Sequence, residues 1–288
     1  MGDKVYRTQF DKTNATQIGA IKFFTGAEWF DSLSKSDYAN MAILVNANDL
    51  SDESIEKVEE AKKRAKHDVT VLYTKTGRST IDERGARQYQ MRLNAEQPYE
   101  HFATIRNMVI DHVVRMAMED HSIKYFVSAD SDVITHPDAI PRLVEIMENN
   151  PDIGICSIPV NNDRRVAEKR PYGLGWGQCQ YNFGEWILFT EGNPRMSNVR
   201  PTTSFPINSG VRDVGYTGAF CIIRTSLLMA PQQVRYASHI QGEDVPFCHA
   251  VKDAGYRICV DTDQVSLHLQ DPRLFSRDRQ VFERRELI

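Results

Sequence analysis

The sequence predicts an α/β protein with a parallel sheet, and the order of its apolar and charged segments is the main reason. The short apolar runs MAILVNA (41–47) and VTVLYT (69–74) are typical of buried strands, and the charged segment 52–67 between them is typical of a solvent-facing helix. A helix that connects two neighbouring strands indicates that the strands run parallel. The apolar runs KYFVSA (124–129) and IGICSIPV (153–160) extend the same alternation.

Two further helices are predicted around the strand at 124–129. Segment 104–120 places Ile105, Val109 and Val113 on one apolar stripe, which indicates a helix packed on the sheet. Segment 136–150 is predicted as a helix with a proline in its first turn.

Regular structure returns near the C-terminus after a long polar stretch. Segment 215–229 begins this ordered part, and segment 242–269 is predicted as a helix that stops at Gly255, then a strand, then a second strand that ends near His268.

Composition excludes several classes of protein. The 288 residues are 41% hydrophobic and 26% charged with a net charge of −4, so the chain can build a core and has no global field toward nucleic acid or anionic membrane. The five cysteines include no C-x-x-C pair and are odd in number, which indicates reduced thiols rather than disulfides or a zinc site. No signal peptide and no apolar run of about 18 residues is visible, so we expect a cytoplasmic protein without a membrane span.

We expect a single domain over residues 1–288, because no internal repeat or low-complexity linker divides the chain. Residues 1–40 are interpreted as an N-terminal extension without a clear pattern, and residues 271–288 as a charged C-terminal tail. Residues 161–212 are rich in Gly, Pro, Asn, Arg and aromatic residues, a composition that indicates long functional loops.

The strand at 124–129 ends in Asp130-Ser131-Asp132, and this D-x-D motif is the first candidate for chemistry. Ligands of parallel α/β sheets bind beyond the carboxyl ends of the strands. Two adjacent carboxylates are costly to bury unpaired, and a divalent cation such as Mg²⁺ or Mn²⁺ would neutralise them. Asp and Ser also cap ordinary turns, so the motif alone is a weak indication.

Three kinds of site place acidic residues in such a pattern. An EF-hand is excluded because Ile134 and Thr135 stand where that loop needs Asp or Asn followed by Gly. A haloacid-dehalogenase-like phosphatase also has D-x-D after an apolar strand, but near the chain start and with Thr or Val where Ile134 stands here. The third possibility is a nucleotide-sugar site with a metal ion beneath the diphosphate.

A second acidic cluster, Glu243-Asp244 at a predicted helix start, favours the third possibility, although acids there also complement the helix dipole. Four segments in order resemble glycosyltransferases of the GT-A fold, specifically the single-domain, family-2-like enzymes of bacteria and their phages. TIRNMVIDHVV resembles the Arg-Asn helix of that family, YFVSADSDVI its D-x-D strand, GYTGAFCIIRTSLL its Gly-containing acceptor segment, and GEDVPFCHAVKDAGYRICV its Glu-Asp helix with the following strand.

The resemblance covers roughly residues 41–270. It implies a GT-A (Rossmann-like) α/β/α sandwich with a central, mostly parallel mixed sheet. In that fold, residues 41–160 would form the nucleotide-sugar-binding half and residues 161–270 the acceptor-binding half.

The resemblance also implies metal-dependent transfer of a sugar from a nucleoside-diphosphate sugar, expected to be a UDP-sugar, to a hydroxyl acceptor. The implied metal set for Mn²⁺ or Mg²⁺ is Asp130, Asp132 and His268. The implied donor contacts are Asn46, Asn48, Arg106, Asp130 and Ser131. MAILVNAND lacks the Pro-Thr-Tyr character common in the first strand of the family, and Asn46 and Asn48 lie in that strand.

Asp244 is the expected general base for in-line attack with inversion; if Asp244 or Glu243 only orients the acceptor, retention stays open. The expected acceptor-side residues are Trp176, Tyr216, Gly218, Ala219 and Glu243. A catalytically inactive sugar-binding protein on the same fold is the non-enzyme alternative.

The identity of the acceptor is predicted from the charge of the loops. Residues 161–212 hold seven basic residues against four acidic ones, inside an acidic protein. A solvated loop accounts for this excess, and so does an anionic acceptor. We place a glycan or other small hydroxyl compound first and hydroxymethylated bases of phage-type DNA second, the latter requiring the base to leave the stack.

Overall fold

The computed structural model describes the protein at residues 27–48, 52–74, 100–130, 133–160, 183–186, 199–201, 210–239, 242–264 and 266–268. Most of the loop segment 161–212 therefore lies outside the described residues, as does the predicted C-terminal tail. The contacts, strand orders and strand counts refer to these residues.

The first described part of the chain is the predicted β-α-β unit, preceded by one helix. Its elements in order are α1 (Ala27–Ser34), β1 (Ala42–Asn48), α2 (Asp52–Arg64) and β2 (Asp68–Thr74). Strands β1 and β2 pair in parallel, from Ala42 opposite Asp68 to Asn48 opposite Thr74. The parallel strand pair predicted from the alternation of apolar and charged segments is confirmed.

The middle of the chain carries the D-x-D strand and the helices beside it. Its elements are α3 (Glu100–Glu119), β3 (Tyr125–Ala129), β4 (Val133–Ile134), α4 (Ala139–Asn149) and β5 (Ile153–Ser157). The remaining elements are β6 (Phe183–Trp186), β7 (Val199–Pro201), β8 (Val211–Asp213), β9 (Tyr216–Thr217), β10 (Phe220–Arg224), α5 (Thr225–Leu228), α6 (Asp244–Asp253), β11 (Arg257–Asp261) and β12 (Leu267–His268).

Two predicted boundaries differ from those of the structure. The helix predicted over 136–150 begins only at Ala139, with Asp138 in the position before it. Pro141 is the proline that lies in its first turn, where no intrahelical N–H is needed. The strand predicted over 153–160 ends at Ser157, because Pro159 has no N–H to continue the ladder.

Two predicted helices also differ in extent. The helix predicted over 52–67 ends at Arg64, and the helix predicted over 104–120 begins earlier, at Glu100, with an acidic residue in its first turn.

The central sheet has five strands in the order β3-β10-β5-β11-β8. Strand β10 is antiparallel to both β3 and β5, β11 is parallel to β5, and β8 is antiparallel to β11. Three strands, β3, β5 and β11, thus share one direction, and two run against them. The sheet is mixed, and its three co-directional strands end at the same edge.

Helices cover both faces of this sheet. Along β10 the side chains alternate: Cys221 and Ile223 belong to a core with α3, α5 and α6, whereas Phe220 and Ile222 belong to a second core with α1, α2 and α4. The predicted α/β/α sandwich is confirmed by these two cores. Helix α1 contributes Phe30 to the second core, so this part of the predicted N-terminal extension belongs to the packed body.

The arrangement places the candidate site at one edge of the sheet. Asp130 follows the carboxyl end of β3, and the residues before β10 arrive at the same edge because β10 runs antiparallel to β3. Such an edge is where α/β sheets bind ligands. None of the helices in the described part of the chain is long and apolar enough to cross a membrane.

Candidate active site

Arg106 is the centre of the candidate site. Its Nη2 donates to Asp130 Oδ1 at 2.8 Å and its Nε donates to Glu243 Oε1 at 2.8 Å. Its Nη1 also donates to Ser128 Oγ at 3.3 Å. The Arg106 side chain is 11% exposed, so these charge-assisted bonds lie largely out of water and join the end of β3 to the start of α6.

The ion pair between Arg106 and Glu243 shows whether Glu243 serves only to complement the dipole of α6. Glu243 occupies the position just before α6, but its side chain makes no capping hydrogen bond. Its carboxylate instead forms the ion pair with Arg106 on α3, at 8% side-chain exposure. A partner on another helix shows that Glu243 does more than complement the helix dipole of α6.

Asp244 is the next residue, the first of α6, and its surroundings perturb its ionisation. Burial raises the pKa of the Asp244 carboxyl to about 8, Arg106 opposes this rise, and the charges of Glu243 and Asp130 add to it. Burial would lower the pKa of Arg106, but the carboxylates of Asp130, Asp244 and Glu243 raise it above its usual range. One cation thus faces three acidic groups, which gives the site an excess of negative charge.

Gly218 is required where it lies because of Asp244. A Cβ on Gly218 would be 2.6 Å from Asp244 Cγ and closer still to Oδ2. No side chain fits in that space, so the Asp244 carboxyl packs directly against the Gly218 backbone. The glycine that the sequence assigned to an acceptor segment therefore touches the predicted base.

Ala219 adopts a backbone conformation that is rare for a residue with a side chain. Its φ is 62°, and Phe220 N–H donates to Gly218 O at 2.7 Å across it. Ala219 O accepts from Asp130 N–H at 2.8 Å. This tight turn joins the Gly218 segment to Asp130, and strained backbone of this kind gathers at functional sites.

Hydrogen bonds between Thr217 and Cys248 hold the residue that precedes this turn. Thr217 N–H donates to Cys248 Sγ at 3.4 Å, and Cys248 S–H donates to Thr217 O at 3.3 Å. The Thr217 hydroxyl donates to Ser157 Oγ at 2.6 Å, at the end of β5. Burial raises the pKa of the Cys248 thiol to about 12, so it acts here as a neutral packing group.

Tyr236 packs beside Arg106, and no sequence motif marks this residue. Its ring stacks on Phe247 of α6 with centroids 4.1 Å apart, and the Arg106 guanidinium carbon lies 5.3 Å from the Tyr236 centroid. The Asn107 side chain holds the Tyr236 backbone from both sides, donating to Tyr236 O and accepting from Tyr236 N–H, each at 2.9 Å. Only the three-dimensional contact identifies this residue.

The predicted donor contacts on β1 lie close to the start of α3. The Asn46 amide is buried; its Nδ2 donates to Ile105 O at 3.4 Å and its Oδ1 accepts from Thr74 Oγ1 at 2.7 Å. Asn46 therefore ties both parallel strands to the residue before Arg106. The backbone of Asn48 ends β1 opposite Thr74, and its side chain lies outside the described part. Donor binding by both residues stays a prediction.

The predicted metal set is described only in part. Ser131 and Asp132 lie outside the described residues. The backbone of His268 is described: it pairs antiparallel with β4, opposite Val133, the residue that follows Asp132 in the sequence. Among the side chains that the structure describes, no three His, Cys, Asp or Glu residues gather to hold a metal, and this set includes neither Asp132 nor the His268 side chain.

The structure describes four of the five predicted acceptor-side residues. Tyr216 is half-buried in β9, and burial, the Cys248 thiol and the Asp244 charge raise the pKa of its phenol. Gly218, Ala219 and Glu243 lie with Asp244 at the site, as described above. Trp176 lies outside the described residues.

Comparisons with known proteins give fold likeness at low identity. No protein-family model matches the chain, and no curated protein matches its sequence. A crystal structure of S. aureus TarS shares 13% identity with a TM-score of 0.43 over 84% of this chain, and one of S. aureus TarS 1-349 shares 16% identity with a TM-score of 0.41 over 86%. The chain spans 34% and 57% of the length of those two chains.

A third likeness is to CMP:2-keto-3-deoxy-manno-octonic acid synthetase complexed with CTP. It has 12% identity and a TM-score of 0.42, and the match covers 90% of this chain and 88% of that one. All three TM-scores lie below 0.5, so these likenesses assign no activity to the chain.

Proposed function

We propose that this protein is a metal-dependent glycosyltransferase that moves a sugar from a nucleoside-diphosphate sugar to a hydroxyl acceptor. The observation that carries the proposal is the Arg106 bridge between Asp130 and Glu243. It joins the end of the D-x-D strand to the start of the helix that bears Asp244, and these are the residues that the proposal assigns to the donor side and the acceptor side. The four-segment resemblance to GT-A glycosyltransferases supplies the reaction class.

The proposed ligands Asp132 and His268 are of the types that hold a divalent cation such as Mn²⁺ or Mg²⁺. The His268 backbone lies opposite Val133, the residue that follows Asp132 in the sequence, although 135 positions separate His268 from Val133 in the chain. Carboxylate oxygens with one imidazole suit Mn²⁺, and the excess of negative charge around Arg106 favours a cation nearby. Asp132 and His268 would hold it directly; Asp130, already bonded to Arg106, would contact the ribose or a metal-bound water.

When bound, the cation supplies positive charge to the departing diphosphate. The chain's own residues supply the other functions. Arg106 forms ion pairs with Asp130 and Glu243 and keeps both in place. Asp244 takes the proton of the acceptor hydroxyl, and its pKa of about 8 lies close enough to neutral pH to make it an effective base once ionised. Attack in line with the leaving diphosphate inverts the anomeric carbon.

A panel of donors tests the nucleotide part of the proposal. We expect a UDP-sugar to bind in the presence of Mn²⁺ and to release UDP slowly by hydrolysis, with calorimetry and nucleotide release as the two measurements. Tight binding of GDP-sugars without UDP-sugars would overturn the nucleotide. Phosphate release from small phosphoesters without sugar transfer would favour the phosphatase alternative.

For the acceptor we propose a glycan or another small hydroxyl compound, ahead of hydroxymethylated DNA. The basic excess of residues 161–212 supports an anionic acceptor of either kind. DNA binding, with and without hydroxymethylpyrimidines, is measured from about 50 to 200 mM salt, where contacts to phosphates weaken steeply. No binding at the low end removes the DNA branch, and salt-sensitive binding with sugar incorporation places it ahead of the glycan.

A further inference from the structure

We infer that Tyr236 is a positioning residue for Arg106. Its ring fixes the plane of the guanidinium, so that Arg106 binds Asp130 and Glu243 at the same time. Tyr236 belongs to none of the four segments that carry the resemblance. The inference rests on the proposed function, because it concerns the alignment of that same site.

The ring is placed between the two helices that carry the site. It stacks on Phe247 of α6, three residues after Asp244, with centroids 4.1 Å apart and planes 13° from parallel. The Arg106 guanidinium carbon on α3 lies 5.3 Å from the same ring centroid, within cation–π range. With 5% exposure, Tyr236 lies in a dry environment where this attraction is strongest.

The backbone of Tyr236 is fixed just as firmly. Asn107, the neighbour of Arg106 on α3, forms two hydrogen bonds of 2.9 Å with the Tyr236 peptide groups. Val234 N–H donates to Leu227 O at 2.9 Å, which ties the same segment to α5. Main chain and ring are therefore both held, and the ring cannot turn away from Arg106 without breaking these contacts.

The consequence for the site follows from the geometry of arginine. A guanidinium has its donors in one plane, so the tilt of that plane decides which acceptors it reaches. Here Nε reaches Glu243 and Nη2 reaches Asp130, both at 2.8 Å. Removing the ring lets the plane tilt, and the two carboxylates then lose their common partner.

The phenol hydroxyl has a separate and smaller role. Its interaction with Ser128 partly offsets the rise that burial causes in the pKa of the phenol, and Ser128 Oγ accepts from Arg106 Nη1 at 3.3 Å. Tyr236→Phe removes only the hydroxyl and keeps both stacking contacts, whereas Tyr236→Leu removes the aromatic face. The pair of variants separates the ring from the hydroxyl.

A matched control lies elsewhere on the sheet. Arg224 lies over the ring of Tyr125 at 5.6 Å, an arginine–tyrosine stack at the end of β3 and β10 opposite to the candidate site. Tyr125→Leu removes a ring of the same kind from the same sheet without touching the site. We expect it to lower thermal stability but to leave kcat within about twofold of wild type at temperatures where it is folded.

The first experiment measures donor turnover by the full chain with Mn²⁺, for Tyr236→Phe, Tyr236→Leu and Tyr125→Leu. We expect Tyr236→Leu to lower kcat about tenfold with KM for the donor changed far less, and Tyr236→Phe to retain most of the activity; a tenfold change corresponds to about 1.4 kcal/mol of activation free energy. Equal loss of kcat in Tyr236→Leu and Tyr125→Leu would overturn the inference, as would a Phe variant as poor as the Leu variant.

The second experiment needs no activity, so it separates this inference from the proposed function. Unfolding is measured for Arg106→Met, Tyr236→Leu and the double variant. We expect the effects on the unfolding equilibrium constant to be non-multiplicative by about threefold or more, the mark of a direct contact. Multiplicative effects would show that the two side chains do not act together. A protein with this coupling but no donor turnover would refute the proposed function and leave the contact established.

Discussion

Gly218 and Asp244 fit together so closely that the glycine has no room for a side chain: a Cβ would lie 2.6 Å from Asp244 Cγ. The contact brings the predicted acceptor segment and the predicted base together, although they belong to different parts of the sequence. The Asp244 carboxyl can keep this position only if residue 218 has no Cβ.

Gly218→Ala is therefore expected to displace the Asp244 carboxyl and lower kcat by tenfold or more, while donor affinity changes little. Kinetics with the purified variant check this. Gly154→Ala is the control, since its Cβ would also be crowded, 2.8 Å from Tyr256 Cβ, but in the core. That control should lose stability and keep its kcat when folded; equal kinetic effects in both variants would contradict the special role of Gly218.

Asp244→Asn removes basicity and keeps the shape of the side chain. We expect kcat to fall by about 10²-fold or more with donor affinity near wild type, because proton removal from the acceptor is lost. Glu243→Gln is the paired comparison and should affect kcat less directly, through the loss of its charge toward Arg106. A near-normal kcat in Asp244→Asn would move the base to Glu243 or support retention, and NMR of the product anomer decides between these.

The raised pKa of Asp244 predicts that the stability of the folded protein depends on pH. The Asp244 pKa is raised from 3.8 to about 8 in the folded protein, so the folded state binds a proton that the unfolded chain releases. This contribution to stability is complete below about pH 4 and is lost as the pH rises to about 8. In chelator, wild type should therefore lose at least about 1 kcal/mol of unfolding free energy relative to Asp244→Asn between pH 5 and pH 9. A constant difference across that range would contradict the raised pKa.

Arg106→Met keeps much of the side-chain volume and removes the charge. Asp130 and Glu243 would then lack their ion-pair partner, and breaking a largely buried pair costs about 3–5 kcal/mol. Denaturant unfolding measures the loss. Arg257→Met serves as the comparison, because its ion pairs with Asp152 and Asp213 are exposed and worth about 0–1 kcal/mol each. Similar losses in the two variants would show that burial does not strengthen the Arg106 pairs.

Local patterns predicted the elements of the fold, and the structure confirms those that depend on local chemistry. The parallel pairing of β1 with β2 follows from the helix between two apolar runs, and the end of α6 from Gly255 with its φ of 86°.

The contacts of the candidate site were harder to predict, because they join distant parts of the chain. The motifs indicated Asp130, Glu243 and Arg106 separately, but only the fold shows that Arg106 joins the other two. Tyr236 lies in a stretch without any motif, and its importance arises from packing against α3 and α6. Periodicity and spacing carry no information about such contacts.

Metal-dependent release of nucleotide from a sugar donor is the decisive measurement for the proposed reaction. Wild type, Asp132→Ala and Asp244→Asn are incubated with UDP-, GDP- and CMP-sugars, with Mn²⁺ or Mg²⁺ and with chelator, and nucleotide release is measured. The account predicts that wild type releases nucleoside diphosphate from one class of sugar donor, that chelator abolishes the release and added Mn²⁺ or Mg²⁺ restores it, and that Asp132→Ala is inactive under all conditions. Undiminished release by Asp132→Ala in chelator, or no release from any sugar donor by wild type, would contradict it.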